Sequence, residues 1–224
     1  MTESATGLVL RIRSLTETSL IVHWLTRDLG RLATVAKGAR RAKSPFRGKL
    51  DLFYRVDLSF NRSRRSDLHT LREVNVLDTH PALRTDLGYL RQAAYCAGLV
   101  EQTTETDTPL PAFFALIEEL LCYLPGHPPE PQTIFAFELK LLNHLGLQPD
   151  LNQTKLDAGL RQVVRALTES DWPAIARLRL SAPQVNNLNR FLHGFLIFHL
   201  TSMPKFRQAA LGLGLIHPET QVRH

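Results

Sequence analysis

Lys37, Arg40, Arg41, Lys43, Arg47 and Lys49 place six cations and no acid within thirteen residues of a 224-residue chain. Such a run can neutralise a polyanion. Each cation that meets a phosphate releases condensed counterions, so several held together grip a nucleic-acid backbone whatever its bases. Gly38, Pro45 and Gly48 interrupt the run and predict a loop projecting from a sheet. Glycine also frees backbone amides to donate to phosphate oxygens. Arg62, Arg64 and Arg65 form a second cluster in a polar turn, and Arg11 and Arg13 share the polar side of an early strand. Proteins that hold single strands add aromatic platforms on which bases stack. Phe46 and Phe53 are the base-stacking candidates, with Tyr54 assigned to the core. A plain solvated loop, and barrel packing for the two phenylalanines, are the competing readings.

The +6 formal charge is unevenly spread. Residues 1–80 hold 15 Lys/Arg against 8 Asp/Glu, a net of +7, while residues 81–224 hold 12 against 13, a net of −1. A basic first part joined to a neutral second part points the first part at a polyanion.

Other chemistries find no support. There is no GxxxxGK[ST] run to cradle a nucleotide, and the histidines lack metal-ligand spacing, His193 and His199 lying on different faces of one helix. Glu118 and Glu119 read as a solvated face, without the converging acids of a two-metal nuclease. No catalytic residue, metal ligand or cofactor is assigned, and the chain is read as a non-enzyme. Cys96 and Cys122 make neither a CxxC pair nor a disulfide framework, which fits a reducing cytoplasm. Apolar residues begin at Leu8 and alternate with arginine, so no secretory leader is expected. The apolar stretch around Phe191–Leu200 is too short for a bilayer and carries two histidines, so no membrane partner is expected.

The elements that must carry these residues change character near residue 80. Five strands are expected, at 7–13, 18–25, 31–37, 50–60 and from Leu68 to Val76. The clearest signal is at 50–60, where Leu50, Leu52, Tyr54, Val56, Leu58 and Phe60 alternate with polar residues. Five close-spaced strands make a small barrel such as an OB-fold. Beyond His80–Pro81, apolar spacings of three and four predict helices over roughly 82–103, from Thr108–Pro109, through Phe135 to Gly146, over 157–179, and from Pro183. The fold class is therefore α+β and multidomain: a five-stranded OB-fold barrel over 1–80, then an all-α bundle over 81–224.

An ordered set of residues adds to this. Arg11 and Arg13 lead into Glu17-Thr18-Ser19-Leu20, Leu25-Thr26 and Gly30, then Val35-Ala36-Lys37-Gly38-Ala39-Arg40. Leu68, Thr70-Leu71, Glu73 and Leu83-Arg84-Thr85-Asp86-Leu87 follow, and then Phe137-Glu138-Leu139-Lys140-Leu141-Leu142 with His144-Leu145-Gly146 and Pro149. Over nearly the whole chain this resembles the bacterial recombination mediators of the RecO family. The resemblance implies binding of single- and double-stranded DNA, annealing of complementary strands, and help for RecA in replacing single-strand-binding protein. It implies RecR as a direct partner, RecF in the same pathway, and a cytoplasmic, nucleoid-associated location. It also implies that the C-terminal tail of single-strand-binding protein docks on the helical part, with Phe137, Lys140, Leu141 and Arg190 as candidate contacts. Many family members hold a structural zinc through four cysteines after the Gly-x-x-Pro segment. Here Asp150–Ser170 contains no cysteine, so the zinc is expected to be absent and the stretch shortened into helix. An adaptor that bridges RecR and single-strand-binding protein without DNA, or an RNA-binding OB-fold, are the alternatives.

Overall fold

A computed structural model describes residues 2–200 and 205–212. Strands β1 (Thr2–Ser14), β2 (Leu20–Thr26), β3 (Gly30–Ala36), β4 (Arg55–Asn61) and β5 (Leu68–Asp78) close into a barrel in the order β1-β2-β3-β5-β4. β1 is long enough to serve two neighbours: Thr2–Leu8 pair with β4, and Gly7–Ser14 pair with β2. A register shift between Val9 and Arg11 bends it. β3 meets β5 in parallel and closes the cylinder. Val9, Val22, Trp24, Leu32, Val56, Leu58, Phe60 and Leu71 fill the interior. The buried indole N–H of Trp24 donates to Thr34 Oγ1 at 2.8 Å.

The expected strand at 50–60 is shorter than its alternation implies. It begins at Arg55; Leu52 lies in a turn and is 38% exposed, whereas Phe53, at φ 64°, is 1% exposed. The helices supply the reason. Leu8, Leu10, Leu25 and Phe53 point away from the barrel interior and join the apolar core of the helical part. The outer side of the barrel is thus dry over this patch, and each such side chain adds about 1.5–3 kcal/mol of burial.

The helical part opens with a 3-10 turn at Pro81–Thr85, followed by α1 (Leu87–Thr103), α2 (Pro111–Tyr123), α3 (Pro131–His144), α4 (Ala158–Glu169), α5 (Trp172–Arg177), α6 (Ala182–Leu200) and α7 (Arg207–Ala210). α1 starts later than the expected 82 because Asp86 caps it, accepting from Gly88 N at 2.6 Å. α3 is the central helix, with Ile134 to Leu139, Leu141 and Leu142 all buried. Among the described residues no helix is long and apolar enough to cross a membrane.

Polar links ring the apolar seam. Asp107 N donates to Arg31 O at 2.9 Å, and Arg31 donates to Thr104 Oγ1 at 2.8 Å. Arg27 and Arg55 reach Glu118 on α2 at 3.8 and 3.4 Å. Gly30 sits at φ +70°, and a Cβ there would come within 1.8 Å of Thr108 O, so only glycine lets the β2–β3 turn meet the α1–α2 connection this closely.

Candidate nucleic-acid interface

Beyond Ala36 the chain folds into a lobe of successive turns. Arg41 N donates to Gly38 O at 3.0 Å, Ser44 N to Arg41 O at 3.0 Å, Arg47 N to Ser44 O at 3.2 Å, and Lys49 N to Phe46 O at 3.0 Å. Gly38 and Gly48 take positive φ, as the tight reversals require. The lobe is tied to the β1–β2 turn by Arg40 N to Thr18 O at 3.0 Å and Gly38 N to Ser19 Oγ at 3.3 Å. Lys37, Arg40, Arg41 and Lys43 are exposed, and among the described residues their side chains make no ion pair or hydrogen bond. Arg47 and Lys49 are exposed too, but each spends one donor on the backbone, Arg47 on Ala42 O at 3.3 Å and Lys49 on Val74 O at 3.2 Å. Arg13, Arg64 and Arg65 are also exposed and unpaired among the described residues. Nine of the eleven cations singled out in the sequence therefore face solvent.

The other two do not. Arg62 holds Glu3 through two bonds of 2.7 and 2.9 Å and Asp107 through one of 2.5 Å. This pins the β4–β5 turn to the start of β1 and to the α1–α2 connection, and the Arg62 hydrogen bond holds the Glu3 carboxyl below its ordinary range. Arg11 lies 3.1 Å from Glu101 on α1. A cation spent on a carboxylate is not free for phosphate. The stacking candidates are also placed elsewhere. Phe46 is 6% exposed, packed on the barrel's apolar cluster at the floor of a groove, and Phe53 is under the helices, so neither stands out as an open stacking platform. Sequence reasoning passed over Arg72, which is exposed on β5 and lines a groove of about 430 Å³ with Pro45, Phe46 and Lys49 and with the carboxylates Asp57 and Glu73. Only the fold brings it beside the lobe.

His23 sits 3.8 Å from Glu101, yet burial, then Arg11, Arg13 and Arg31, push its imidazole from 6.5 down to about 4. It is therefore neutral in the folded chain, while the unfolded chain takes up that proton at a higher pH. The stability this contributes is complete above about 6.5 and is lost as pH falls towards about 4. In thermal melts across that window, His23→Gln should lose less melting temperature than the native chain. Parallel curves would refute the assignment.

The four residues expected to receive a peptide tail do not converge. Phe137 and Leu141 are fully buried because α3 is packed on several sides by other helices. Lys140 Nζ donates to Thr168 O at 3.0 Å and Ser170 O at 2.6 Å, closing the C-terminal end of α4. Arg190 lies apart, in a groove of about 450 Å³ with Lys155, Leu156, Leu160 and Phe191.

Among the described residues no group of three or more His, Cys, Asp or Glu side chains is placed to hold zinc. Gly146 and Pro149 lead into turns before α4 starts at Ala158, rather than into an early helix, and no thiol lies there. Cys96 is sealed in α1, where burial and then Glu138 push its thiol well up, and Cys122 lies on α2.

Comparison with known proteins agrees with the fold. Residues 1–80 match the family model "Recombination protein O N terminal" and residues 84–154 match "Recombination protein O C terminal". The chain is 34% identical over 153 residues to DNA repair protein RecO of Myxococcus xanthus (strain DK1622), covering 68% of this chain and 62% of that protein. Against the protein of the same name from Anaeromyxobacter sp. (strain K) it is 35% identical over 147 residues, 66% of this chain and 58% of that one. Against that of Symbiobacterium thermophilum it is 36% identical over 148 residues, 65% and 57%. The chain thus spans about three fifths of the length of these relatives. With both family models matched in order, one on the barrel and one on the helices that follow, this chain belongs to the RecO family of DNA repair proteins.

Proposed function

We propose that this protein is a non-catalytic recombination mediator of the bacterial cytoplasm, working at the nucleoid. Its lobe holds the backbone of single- or double-stranded DNA without reading bases. It anneals complementary strands and, with RecR and in the pathway that includes RecF, helps RecA onto DNA coated by single-strand-binding protein. The observation that carries this reading is the lobe itself, where four cations of one short segment stand in solvent without an acid partner. A polyanion is the ligand such an arrangement favours, and the counterions it releases drive binding. Neither a cofactor nor zinc enters the scheme.

The coat's acidic, aromatic-ended tail needs a cation beside apolar surface. The groove between α4 and α6 offers Lys155 and Arg190 next to Leu156, Leu160 and Phe191, its one acid, Asp157, accepting from Leu160 N as the cap of α4, and we assign the docking there. The test is annealing of complementary oligonucleotides precoated with single-strand-binding protein. Annealing should proceed on the intact coat and drop about tenfold when the coat lacks its tail or when Lys155 and Arg190 are both changed to Glu, as loss of a charged contact predicts. Annealing indifferent to the tail would remove this docking. Absence of salt-sensitive binding to naked DNA would leave an adaptor, and preference for RNA of equal sequence would point to a 2′-hydroxyl reader.

A further inference from the structure

We infer that Phe46 is the positioning residue of the lobe: its ring, seated in the barrel, fixes the cations in place before any strand arrives. The inference rests on the reading of the lobe as a polyanion-binding surface. Between Lys37 and Lys49, Phe46 is the one buried residue. Its ring belongs to the interior cluster that includes Leu58, Phe60 and Val74, so the middle of the most cationic segment is plugged into the core. The chain on either side is shaped to deliver it. Pro45 restricts the backbone before it, Ser44 Oγ accepts from Phe46 N at 3.2 Å, and Phe46 O accepts from Lys49 N at 3.0 Å. Lys49 Nζ on Val74 O then draws the far end of the lobe against β5. The Thr18 and Ser19 contacts hold the near end, so the lobe is fastened at three places.

Six like charges in thirteen residues repel one another, and an unfastened loop would spread. Burial of one ring opposes that spreading. Binding to a pre-ordered surface avoids the entropy of ordering it at the moment of contact, so affinity rises while the number of phosphate contacts stays the same. This distinguishes a positioning residue from a contacting one. Removing a cation lowers the salt slope. Removing the fastener lowers affinity at every salt and leaves the slope unchanged.

The experiment is fluorescence anisotropy with a labelled oligothymidylate, titrated at several salt concentrations with the full chain, Phe46→Leu and Phe46→Ala. Thermal melts fix a temperature at which all three are folded. Phe46→Ala should bind about tenfold more weakly with a parallel salt dependence, since the charges remain and only the ordering is lost. Phe46→Leu should stay within about threefold, because an apolar side chain still fills the seat. Brief trypsin treatment should nick Phe46→Ala between Arg40 and Arg47 and spare the native chain. Should Phe46→Ala fail to fold, Pro45→Gly loosens the lobe without opening the core, and should weaken binding about threefold. If the native chain binds and the folded Phe46→Ala, or Pro45→Gly in its place, binds equally well, the inference is overturned. If the native chain shows no salt-sensitive binding, it is the polyanion reading of the lobe that fails.

Discussion

Changing Lys37, Arg40 and Arg41 together to alanine is expected to flatten the salt dependence of single-strand binding by about 2 in log–log slope, from about −3 to −4 for five contacts. The three are exposed and free of acid partners, so their loss leaves no buried charge stranded and no strand unpaired. At roughly 0.7 counterions per phosphate, three lost contacts cost about 30-fold in affinity near 0.2 M salt and several hundredfold near 0.05 M. The defect therefore grows as salt is lowered, whereas a loss of folded protein would lower affinity by a common factor and leave the slope unchanged. Annealing should fall in step. The melting temperature should hold, because surface cations outside networks contribute little to stability. A triple variant with the native slope would take the lobe out of DNA binding, whatever happened to its annealing rate.

Arg207→Ala should act on stability instead, and strongly. Glu138 on α3 is fully buried, and Arg207 is 3% exposed. The guanidinium meets both carboxylate oxygens at 2.6 and 2.9 Å, and Tyr95 of α1 donates to one of them at 2.6 Å. A further 2.5 Å bond to Asn189 brings in α6. Truncating Arg207 leaves a carboxylate in the core with one donor, a change that costs about 3–5 kcal/mol. In a chain of this size that corresponds to a fall of about 10 °C in melting temperature. The paired replacement Glu138→Leu with Arg207→Met should recover most of it, since apolar side chains of similar volume need no counter-charge. DNA binding below the melting point should be native in both. A single variant that melts with the native chain would show that the network does not hold the helices together.

The contrast between these two predictions also marks what could be read from the sequence. The lobe was legible because its cations are adjacent in the chain and nothing nearby neutralises them. Arg62 and Arg11 look no different in sequence, yet Glu3, Asp107 and Glu101 claim them across 59, 45 and 90 positions. Local spacing carries no trace of such partners. The strands were legible where one side is wet. The strand at 7–13 could be read even though Leu8, Val9 and Leu10 are buried in succession; the reading failed at Phe53, which breaks the alternation of its neighbours to reach the helices. Phe46 fits the same pattern. An aromatic ring among cations suggested a stacking platform, and only the folded chain shows that it points inward. Arg207 lies far from Glu138 in sequence, and nothing on a four-residue helix foretells an arginine in the core.

The strip of Leu8, Leu10, Leu25 and Phe53 has a practical corollary for anyone dissecting this protein. Cutting after His80 would strip these residues of their cover and leave Arg31 without Thr104 and Arg62 without Asp107. The excised fragment would carry a greasy panel ringed by uncompensated positive charge, sticky towards itself and towards any nucleic acid in the tube. Affinities measured on it would describe that wound and not the native surface.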